Sequence, residues 1–320
     1  MPPKYSFVLP AYKAAFLGES IDSILNQSHK DFELIIVNDA SPEDLTSIVN
    51  SYHDERIQYY INEKNVGGTD LVAQWNHCIT YAKGEYLILA SDDDIYHPDY
   101  LEKMDVLVDR YPNIDVFFPR VQYIDESGKI TTECDALAEN LSFIDFLFLR
   151  HKGQIPLGIP FFIFKRVELD RNGGIVNFPT AWFSDDATVI RLARKGVVTH
   201  RDVLFSFRMS GLNISSVLNS MEMLKKKLLA TEAFYFWYVD ELKVVDVLTD
   251  EEKKKMDLVR SSLREMELRH MTWLICCSER KALLLCWCLL WKIKSLKILE
   301  RMMICRNVFN LKTKKGKTNI

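Results

Sequence analysis

Strand-like and helix-like patterns alternate along the first 110 residues of this 320-residue chain, and this alternation restricts the possible folds more than any other feature. The strand-like runs lie at residues 5–9, 33–37, 56–61 and 86–89. A stretch with apolar residues at helical spacing follows each of them. Short crossovers that contain a helix join parallel strands of one sheet. The sequence therefore predicts an α/β fold with a doubly wound, mostly parallel sheet flanked by helices.

Polar residues follow two of these strands shortly after each strand ends. Asp39 comes after the second strand, and Asp92, Asp93 and Asp94 come after the fourth. Ligands of doubly wound sheets bind at the carboxyl ends of the strands. Because the GxGxxG fingerprint does not follow the first strand, NAD chemistry is disfavoured. The sequence predicts a nucleotide site across this edge of the sheet.

The three consecutive aspartates suggest a metal site. Adjacent negative charges repel one another unless a positive charge lies among them. Hard oxygen ligands on a loop suit a divalent cation that also holds phosphate oxygens, which indicates Mg²⁺ or Mn²⁺. The alternative is an acidic loop that caps the helix beginning near Pro98, since aspartate is a common N-cap residue. A second pair, Asp185 and Asp186, also precedes a predicted helix, and helix capping is an alternative there too.

The C-terminal third differs from the rest in pattern and in charge. From residue 217 onward the sequence is helical in pattern and dense in Lys, Glu and Leu. We therefore predict an α/β catalytic domain over residues 1–216 and a helical C-terminal region over residues 217–320. Residues 280–320 contain eleven Lys or Arg residues and one acid, Glu300, although the net charge of the whole chain is −3. A basic segment of this kind attracts phosphate groups.

Apolar residues recur within this basic segment at spacings of three or four. The members of this stripe are Leu285, Leu289, Ile293, Leu296, Leu299 and Met303. Lys294, Lys297 and Arg301 line another face, and this pattern suits a helix that lies on an anionic membrane surface. The alternative is that the stripe packs on the protein's own helices. The longest apolar run, residues 282–291, is too short to span a bilayer.

Several short motifs occur in order along residues 5–216. They read FVLPAYKA, IIVNDAS, NVGG, WNHCITYAKGEYLILASDDD, IYHPDYLEK, SDDATVIRLARKG and LFSFRMSGLNISS. In this order they resemble the family 2 glycosyltransferases, which are inverting enzymes of the GT-A fold that use nucleotide sugars. The resemblance implies a GT-A type, Rossmann-like sheet and a glycosyltransferase activity.

The resemblance also implies which residues bind the nucleotide. Pro10, Ala11 and Tyr12 would line the base and ribose, and Asp39 would hydrogen-bond the base. The alternative for Asp39 is an Asx-turn after the second strand.

The motif NVGG and the following helix are implied to approach the nucleotide closely. Asn65, Gly67 and Gly68 would let the backbone come near, whereas the alternative is a loop that needs positive φ. Asn76 matches a recurrent Asn of the family, but Trp75 replaces the Arg that usually precedes it. The contact of this helix with the diphosphate is therefore less well supported.

The metal motif of the family is D-x-D-D, and this chain departs from it at Ser91. Aligned on the residues that follow, Asp93 and Asp94 fall at the final pair of the motif, with Asp93 the first choice as metal ligand. Asp92 is the candidate to substitute for the missing first Asp. A metal at this position would stabilise the charge that develops on a departing nucleoside diphosphate.

The reaction also needs a base that takes the proton of the acceptor hydroxyl. The resemblance implies Asp185 as this base, since the family places the acid six residues before the Arg that corresponds to Arg191, and Asp186 is the close alternative. The late motif implies that Arg208 lies near the diphosphate and a mobile lid, and a solvated polar loop is the alternative. The remaining polar residues of this motif are Ser210, Asn213, Ser215 and Ser216.

The resemblance implies a nucleoside diphosphate sugar donor, most often a UDP-sugar, and a saccharide or lipid-linked acceptor. Bacterial cell-surface polysaccharide assembly is the usual setting of small relatives. We expect a cytoplasmic protein that binds peripherally to the inner face of the membrane and has no nucleic-acid partner. Its seven cysteines show no CxxC spacing, which is typical of reduced thiols in a cytosolic protein. The alternatives are a nucleotidyltransferase acting on sugar phosphates and a non-catalytic nucleotide-binding protein.

Overall fold

The computed structural model describes residues 2–156, 158–211, 220–247, 249–278, 288 and 290–315, with side chains described as far as residue 309. The chain divides into two compact units. The first unit comprises Met1–Asn177 and Ser184–Ser210, and the second comprises Phe178–Phe183 and Gly211–Ile320. The predicted domain boundary at residue 216 lies outside the described residues.

A single mixed sheet forms the centre of the first unit. Its strands are β1 (Tyr5–Ala11), β2 (Phe32–Asn38), β3 (Ile57–Ile61), β4 (Tyr86–Leu89), β5 (Ile95–Tyr96), β6 (Val116–Ile124), β7 (Ile130–Glu133), β8 (Asn140–Leu141), β9 (Ile163–Lys165) and β10 (Val197–Arg208). The strand order in the described part of the chain is β3-β2-β1-β4-β9-β6-β10-β5, with β7 on β6 and β8 on β10.

The half of the sheet that contains β1 to β4 is parallel, as the alternating pattern predicts. Ala11 pairs with Asn38 across β1 and β2, and Val8 pairs with Leu89 across β1 and β4. Residues on both faces of β1, β2 and β4 are buried, which explains their almost continuous apolar sequences. Because these strands end at one edge, the polar residues that follow them are delivered to the same side of the sheet.

The other half of the sheet is mixed in direction. β9 lies between β4 and β6 and is antiparallel to both, whereas β10 runs parallel to β6. The twelve-residue strand β10 was not predicted as a strand. Exposed and buried residues do not alternate regularly along β10, and its register against β6 shifts between His200 and Phe205. The sequence therefore lacks the regular alternation of polar and apolar residues that would predict a strand.

The helices of the first unit follow the strands. They are α1 (Leu17–Leu25), α2 (Leu45–Asn50), α3 (Leu71–Ile79), α4 (Tyr100–Arg110), α5 (Phe143–His151), α6 (Arg166–Arg171) and α7 (Ser184–Leu192). Asp44 and Asp70 cap α2 and α3 by accepting backbone N–H groups. The chain of the first unit thus forms the predicted mostly parallel sheet with flanking helices.

The second unit is helical in its described part. It contains α8 (Met221–Glu241), α9 (Asp250–Cys277) and α10 (Ile298–Lys315). Leu228, Met271, Ile293 and Ile304 belong to one buried apolar cluster that joins these helices. No helix among the described residues has the length and apolar content needed to cross a membrane.

Candidate active site

The loop after β4 is attached to the loop after β1 through Asp92. The carboxylate Oδ2 of Asp92 accepts the backbone N–H groups of Tyr12 (2.9 Å) and Lys13 (2.8 Å). Asp92 is buried, whereas Tyr12 is exposed and Ala11 is buried at the end of β1. Asp92 therefore sets the position of the backbone at Tyr12, where the resemblance places the nucleotide.

Asp93 and Asp94 lie beside Asp92 and are also buried. Burial, and then the charge of Asp92, raises the pKa of Asp93. Burial and the charge of Asp93 raise the pKa of Asp94 well above its usual range, although Asp94 accepts hydrogen bonds from the Ser91 hydroxyl and from the backbone N–H of Arg208. Burial and the neighbouring carboxylates therefore disfavour ionisation of Asp93 and Asp94, and a bound cation would oppose this effect.

The guanidinium group of Arg208 is buried beside this carboxylate cluster, with 1% of the residue exposed. Its Nε donates to the backbone oxygen of Asp93 (2.9 Å), and its Nη2 donates to Glu19 Oε2 (2.6 Å). Nη1 donates to the backbone oxygen of Glu126 (3.1 Å), and the group lies over the Phe16 ring. In this arrangement Arg208 holds the backbone of the metal motif, and the predicted contact with a diphosphate stays a prediction.

The carboxylates at the end of β4 suit a divalent cation by their chemistry and their charge. The described residues contain no group of three or more His, Cys, Asp or Glu side chains arranged to hold a metal. Mg²⁺ is usually held by one or two carboxylates together with waters and substrate phosphates, so a complete protein cage is not expected. Asp93, which is buried beside the carboxylates of Asp92 and Asp94, fits that kind of site. Asp94 is less available because Ser91 and Arg208 already donate to its two oxygens.

Asp39 holds the NVGG loop at the end of β2. Its Oδ1 accepts hydrogen bonds from the Asn62 amide (2.7 Å) and the Val66 backbone N–H (2.9 Å), and its Oδ2 accepts from the Gly67 N–H (2.7 Å). The predicted alternative, an Asx-turn made by Asp39, is wrong. The backbone N–H of Ser41 donates instead to Oδ1 of Asn38 (2.9 Å), three residues earlier in the chain.

The glycines of the NVGG loop are needed for space. A Cβ atom on Gly67 would lie 2.9 Å from Asp39 Oδ2, and one on Gly68 would lie 2.8 Å from Asn65 Oδ1. Neither glycine is among the residues with positive φ, so the alternative of a loop that requires left-handed backbone is wrong for these two positions. Asn65 fixes the turn, since its Oδ1 accepts the backbone N–H of Gly68.

Asn76 connects α3 to the segment that leads to the second carboxylate pair. Its Nδ2 donates to the Ile175 backbone oxygen (3.2 Å), and its Oδ1 accepts the Ile175 N–H (2.8 Å). The next residue, Val176, donates its N–H to the Thr188 hydroxyl on α7 (2.9 Å). Asn177 donates to the carboxylate of Asp70 at the start of α3 (3.0 Å). These contacts connect the helix that follows the NVGG loop, through residues 175–177, to α7.

Asp185 and Asp186, in the first turn of α7, have different surroundings. Arg150 on α5 donates from Nε to Asp186 Oδ1 (2.9 Å) and from Nη2 to Oδ2 (3.2 Å), a bidentate ion pair. Among the described residues, Asp185 forms no salt bridge, and its Oδ1 accepts the backbone N–H of Asp186. Burial and then the charge of Asp186 raise the pKa of Asp185 to about 7.

Several residues of this site were not found by sequence reasoning. Arg150 is a basic residue in the last turn of α5, and Glu19 is an acidic residue in the first turn of α1. Charges of these signs are common at these helix positions, so neither residue suggests a functional role. Asn62 donates to both Asp39 and Gln74, but a lone Asn after a strand gives no sign of this role. Their partners are distant in sequence, so local pattern could not identify them.

The comparison with protein-family models decides the family. The model described as "Glycosyl transferase family 2" matches residues 6–173, slightly more than half of the chain. The chain belongs to glycosyl transferase family 2. The family match includes Asp39 and Asp92 to Asp94, whereas Asp185 and Asp186 lie beyond its end. The predicted family and the predicted α/β fold are therefore confirmed, and the roles of individual site residues stay predictions.

Curated relatives resemble this family 2 chain over about two fifths of its length. An uncharacterized glycosyltransferase of Methanocaldococcus jannaschii is 37% identical over 136 residues, which cover 41% of this chain and 46% of the relative. EpsE of Bacillus subtilis, which is named as a glycosyltransferase, is 34% identical over 130 residues, covering 39% of this chain and 46% of EpsE. The similarity thus spans a little less than half the length of each relative.

Solved structures share the fold of this family 2 chain at low sequence identity. Residues 1–349 of S. aureus TarS, in complex with UDP-GlcNAc, align with a TM-score of 0.66 at 15% identity and cover 98% of this chain and 92% of that one. The mannosyltransferase PcManGT of Pyrobaculum calidifontis, in complex with GDP-Man and Mn²⁺, aligns with a TM-score of 0.53 at 15% identity, covering 100% and 89%. Both similarities support the GT-A type fold.

Proposed function

We propose that this protein transfers a glycosyl group from a nucleoside diphosphate sugar to an acceptor hydroxyl, with inversion at the anomeric carbon. In a single displacement, the acceptor oxygen forms a bond to the anomeric carbon as the bond to the diphosphate oxygen breaks, and a base takes the hydroxyl proton. Membership of glycosyl transferase family 2 supports the reaction class. The arrangement of carboxylates at the edge of the sheet supports the assignment of residues to steps.

The unequal environments of Asp185 and Asp186 carry this proposal. A general base works best when its pKa lies near the operating pH, and the pKa of Asp185 is raised to about 7. The Asp186 carboxylate is engaged by Arg150 through two hydrogen bonds. We therefore assign Asp185 as the base, and Asp186 with Arg150 as the pair that positions it.

We propose that Asp93, assisted by Asp92, holds a Mg²⁺ or Mn²⁺ ion with the diphosphate of the donor. When bound, such an ion neutralises the negative charge that develops on the leaving nucleoside diphosphate. Arg208 and Ser91 support this function by holding the backbone of Asp93 and the carboxylate of Asp94. Asp92 contributes by tying the metal motif to the backbone at Tyr12.

On the nucleotide side, we propose that Asp39 receives the base while holding the NVGG loop. Each carboxylate oxygen can accept two hydrogen bonds, and Oδ2 of Asp39 accepts one, from Gly67, among the described residues. A base N–H can supply the second. Pro10, Ala11 and Tyr12 would then line the base and ribose, as the family resemblance implies.

UDP-sugars are the donors that we propose first. Two of the similar TarS structures contain UDP-GlcNAc or UDP, and the PcManGT structure contains GDP-Man and Mn²⁺. The acceptor that we propose is a saccharide or lipid-linked hydroxyl on the cytoplasmic side of a membrane. A panel of UDP- and GDP-sugars is therefore the most direct first experiment.

Donor binding is measured as the rise in melting temperature of the full chain with each nucleotide sugar, with and without Mn²⁺. Turnover is measured as release of nucleoside diphosphate, with and without simple sugar acceptors. We expect one donor to stabilise the protein more with Mn²⁺ than without it. The Asp93→Asn variant should lose the Mn²⁺-dependent part of this stabilisation.

Asp170→Asn is a matched control, because Asp170 is a surface carboxylate on α6 that pairs with Arg166 one turn away. It should behave as the wild type in both assays. A protein that neither binds nor hydrolyses any nucleotide sugar of the panel, with or without metal, would contradict the proposed function.

A further inference from the structure

Helix α10 is apolar on two different sides. Ile304 and Val308 are buried in the cluster that joins α8, α9 and α10, with 0% and 2% of each residue exposed. Residues on another side of the same helix are large, apolar and exposed. We define this outer face as Ile298 (57% exposed), Leu299 (78%), Met302 (54%), Met303 (43%) and Phe309 (69%).

The rotation of α10 about its own axis is determined by polar contacts, so the outer face is held toward solvent. Arg264 on α9 donates from Nε to Glu300 Oε1 (2.9 Å) and from Nη2 to Oε2 (2.6 Å). Arg301, which is buried, donates to the backbone oxygens of Leu290 (3.0 Å) and Ile293 (2.9 Å). Turning the outer face inward would break both sets of bonds.

These contacts correct the residue assignment of the predicted amphipathic stripe. Ile293 and Leu296 belong to the buried cluster, and Arg301 is buried as well. Leu285 and Leu289 lie outside the described residues. Leu299 and Met303 are the described members of the stripe that face solvent. The alternative, that the stripe packs on the protein's own helices, is therefore right for Ile293 and Leu296. The exposed face instead combines Leu299 and Met303 with residues outside the predicted stripe, namely Ile298, Met302 and Phe309.

The surroundings of the outer face are basic. Lys292, Lys294, Lys297 and Arg306 are exposed, whereas the one acid of residues 290–309, Glu300, is engaged by Arg264. Four further lysines follow in the sequence between residues 312 and 317. Arg306 lies on the outer face itself, between Met303 and Phe309. A surface that combines exposed apolar side chains with bases is complementary to one that is apolar inside and negative at its boundary.

We propose that the outer face of α10 docks on an anionic lipid bilayer, with its apolar residues at the level of the acyl chains and the surrounding bases at the head groups. A second copy of this chain is a poor occupant, because two basic surfaces of this kind would repel each other. This inference goes beyond the proposed reaction and does not depend on it. Docking on a bilayer would also keep the enzyme at the membrane, where a lipid-linked acceptor is found.

Binding is measured with the full chain by co-sedimentation with vesicles of phosphatidylcholine alone and with about 30% phosphatidylglycerol. We expect sedimentation with the anionic vesicles and weaker sedimentation at high salt, since salt screens the contribution of the bases. The double variant Leu299→Ser with Phe309→Ser should lower the partition coefficient by about tenfold or more, because it removes two large apolar side chains from the contact.

Val244→Ser with Phe236→Ser is the matched control, since these residues are 73% and 75% exposed in the same unit but lie outside α10. It should bind as the wild type does. The proposal is overturned if the wild type never sediments with anionic vesicles, if both double variants lose binding equally, or if the α10 variant instead converts a dimer to a monomer in analytical ultracentrifugation. The assay requires no donor, so its failure is distinguishable from failure of the proposed reaction.

Discussion

The end of β4 and the start of α7 both carry adjacent aspartates, but the protein surrounds the two groups in different ways. At the end of β4, backbone N–H groups and the Ser91 hydroxyl hold Asp92 and Asp94, and the Arg208 guanidinium bonds a main-chain oxygen of the motif. At the start of α7, Arg150 pairs directly with the carboxylate of Asp186. Burial and neighbouring carboxylates thus raise the pKa of Asp93 and Asp94 in the first group, whereas in the second group Arg150 engages Asp186 and the pKa of Asp185 is raised.

We propose that this difference separates a metal site from a site of proton transfer. A cation bound among carboxylates offsets charge that the protein leaves unneutralised. A general base needs one carboxylate with a raised pKa and a neighbour that stays ionised and in place. Asp185 and Asp186, with Arg150, meet the second requirement. In the proposed reaction, aspartates at the two positions have different roles because Arg150 binds a carboxylate directly, whereas Arg208 donates to a main-chain oxygen.

The largest effect is expected from Asp185→Asn. This change removes the proposed base and should lower the turnover rate by about two to four orders of magnitude. Donor binding should persist, because the contacts to the nucleotide lie on other elements. Nucleoside diphosphate release and donor-induced thermal shifts measure the two effects separately. Normal turnover in this variant would remove the distinction drawn between the two aspartates.

Asp93→Asn tests the other carboxylate group. We expect turnover to fall by about two to three orders of magnitude, since stabilisation of the leaving group is lost. Unlike Asp185→Asn, this variant should also lose the effect of Mn²⁺ on donor binding. If Mn²⁺ still raises the melting temperature with donor as in the wild type, the metal site must lie elsewhere.

Asp186→Asn sharpens the assignment of the base through its pH dependence. In the wild type, kcat/KM should rise with pH and reach half its plateau at about pH 7, because Asp185 must lose its proton to act. The charge of Asp186 raises the pKa of Asp185. Removing that charge should move the midpoint to lower pH while activity remains. A variant that is inactive at every pH would instead identify Asp186 as the base.

Asp185→Asn should also change stability, in a direction opposite to its effect on activity. The pKa of Asp185 is about 7 in the folded chain, against 3.8 for an unperturbed aspartate. The folded state therefore loses stability as pH rises from about 4 through 7, because the buried carboxyl must ionise. The Asn variant should melt at a higher temperature than the wild type at pH 8. Equal melting temperatures at pH 8 would contradict the raised pKa, and the difference should vanish near pH 4.

The smallest effect is expected from Glu19→Gln, which changes the α1 carboxylate that accepts a hydrogen bond from Arg208. Glu19 accepts a hydrogen bond from buried Arg208, but its own side chain is 56% exposed. Solvent screening limits the loss to about 0–1 kcal/mol of unfolding free energy. Chemical denaturation measures it, with Glu222→Gln as the control, since Glu222 forms an exposed pair with Lys226. A loss of several kcal/mol would mean that Arg208 depends on this one carboxylate.

Most of the parallel half of the sheet could be predicted because its signals are local. The strands β1, β2 and β4 are buried on both faces, so each is a short apolar run with a polar residue after it. The helices between them have periodic apolar faces and caps such as Asp70. Nearest-neighbour patterns of this kind are sufficient to predict the order of elements and the edge where ligands bind.

Gly84 illustrates how a sequence signal can mark a constrained residue and indicate the wrong cause for it. A glycine after a helical pattern is typical of a C-cap, but α3 ends at Ile79, and Gly84 is not among the residues with positive φ. A Cβ atom there would lie 2.7 Å from the Ser6 hydroxyl oxygen and 2.8 Å from its backbone nitrogen. Position 84 requires glycine because the backbone of β1 lies too close for a side chain. The local sequence contains no sign of this contact.

The sequence by itself determined the fold class, the family and the aspartates that belong to the candidate site. The tertiary structure alone decided which aspartate is paired, since Arg150 and Asp186 are 36 residues apart, and which apolar residues of α10 face solvent. Both decisions depend on partners brought together by packing of distant elements. Electrostatic energy depends on distance and burial, and neither quantity is contained in the order of residues along the chain.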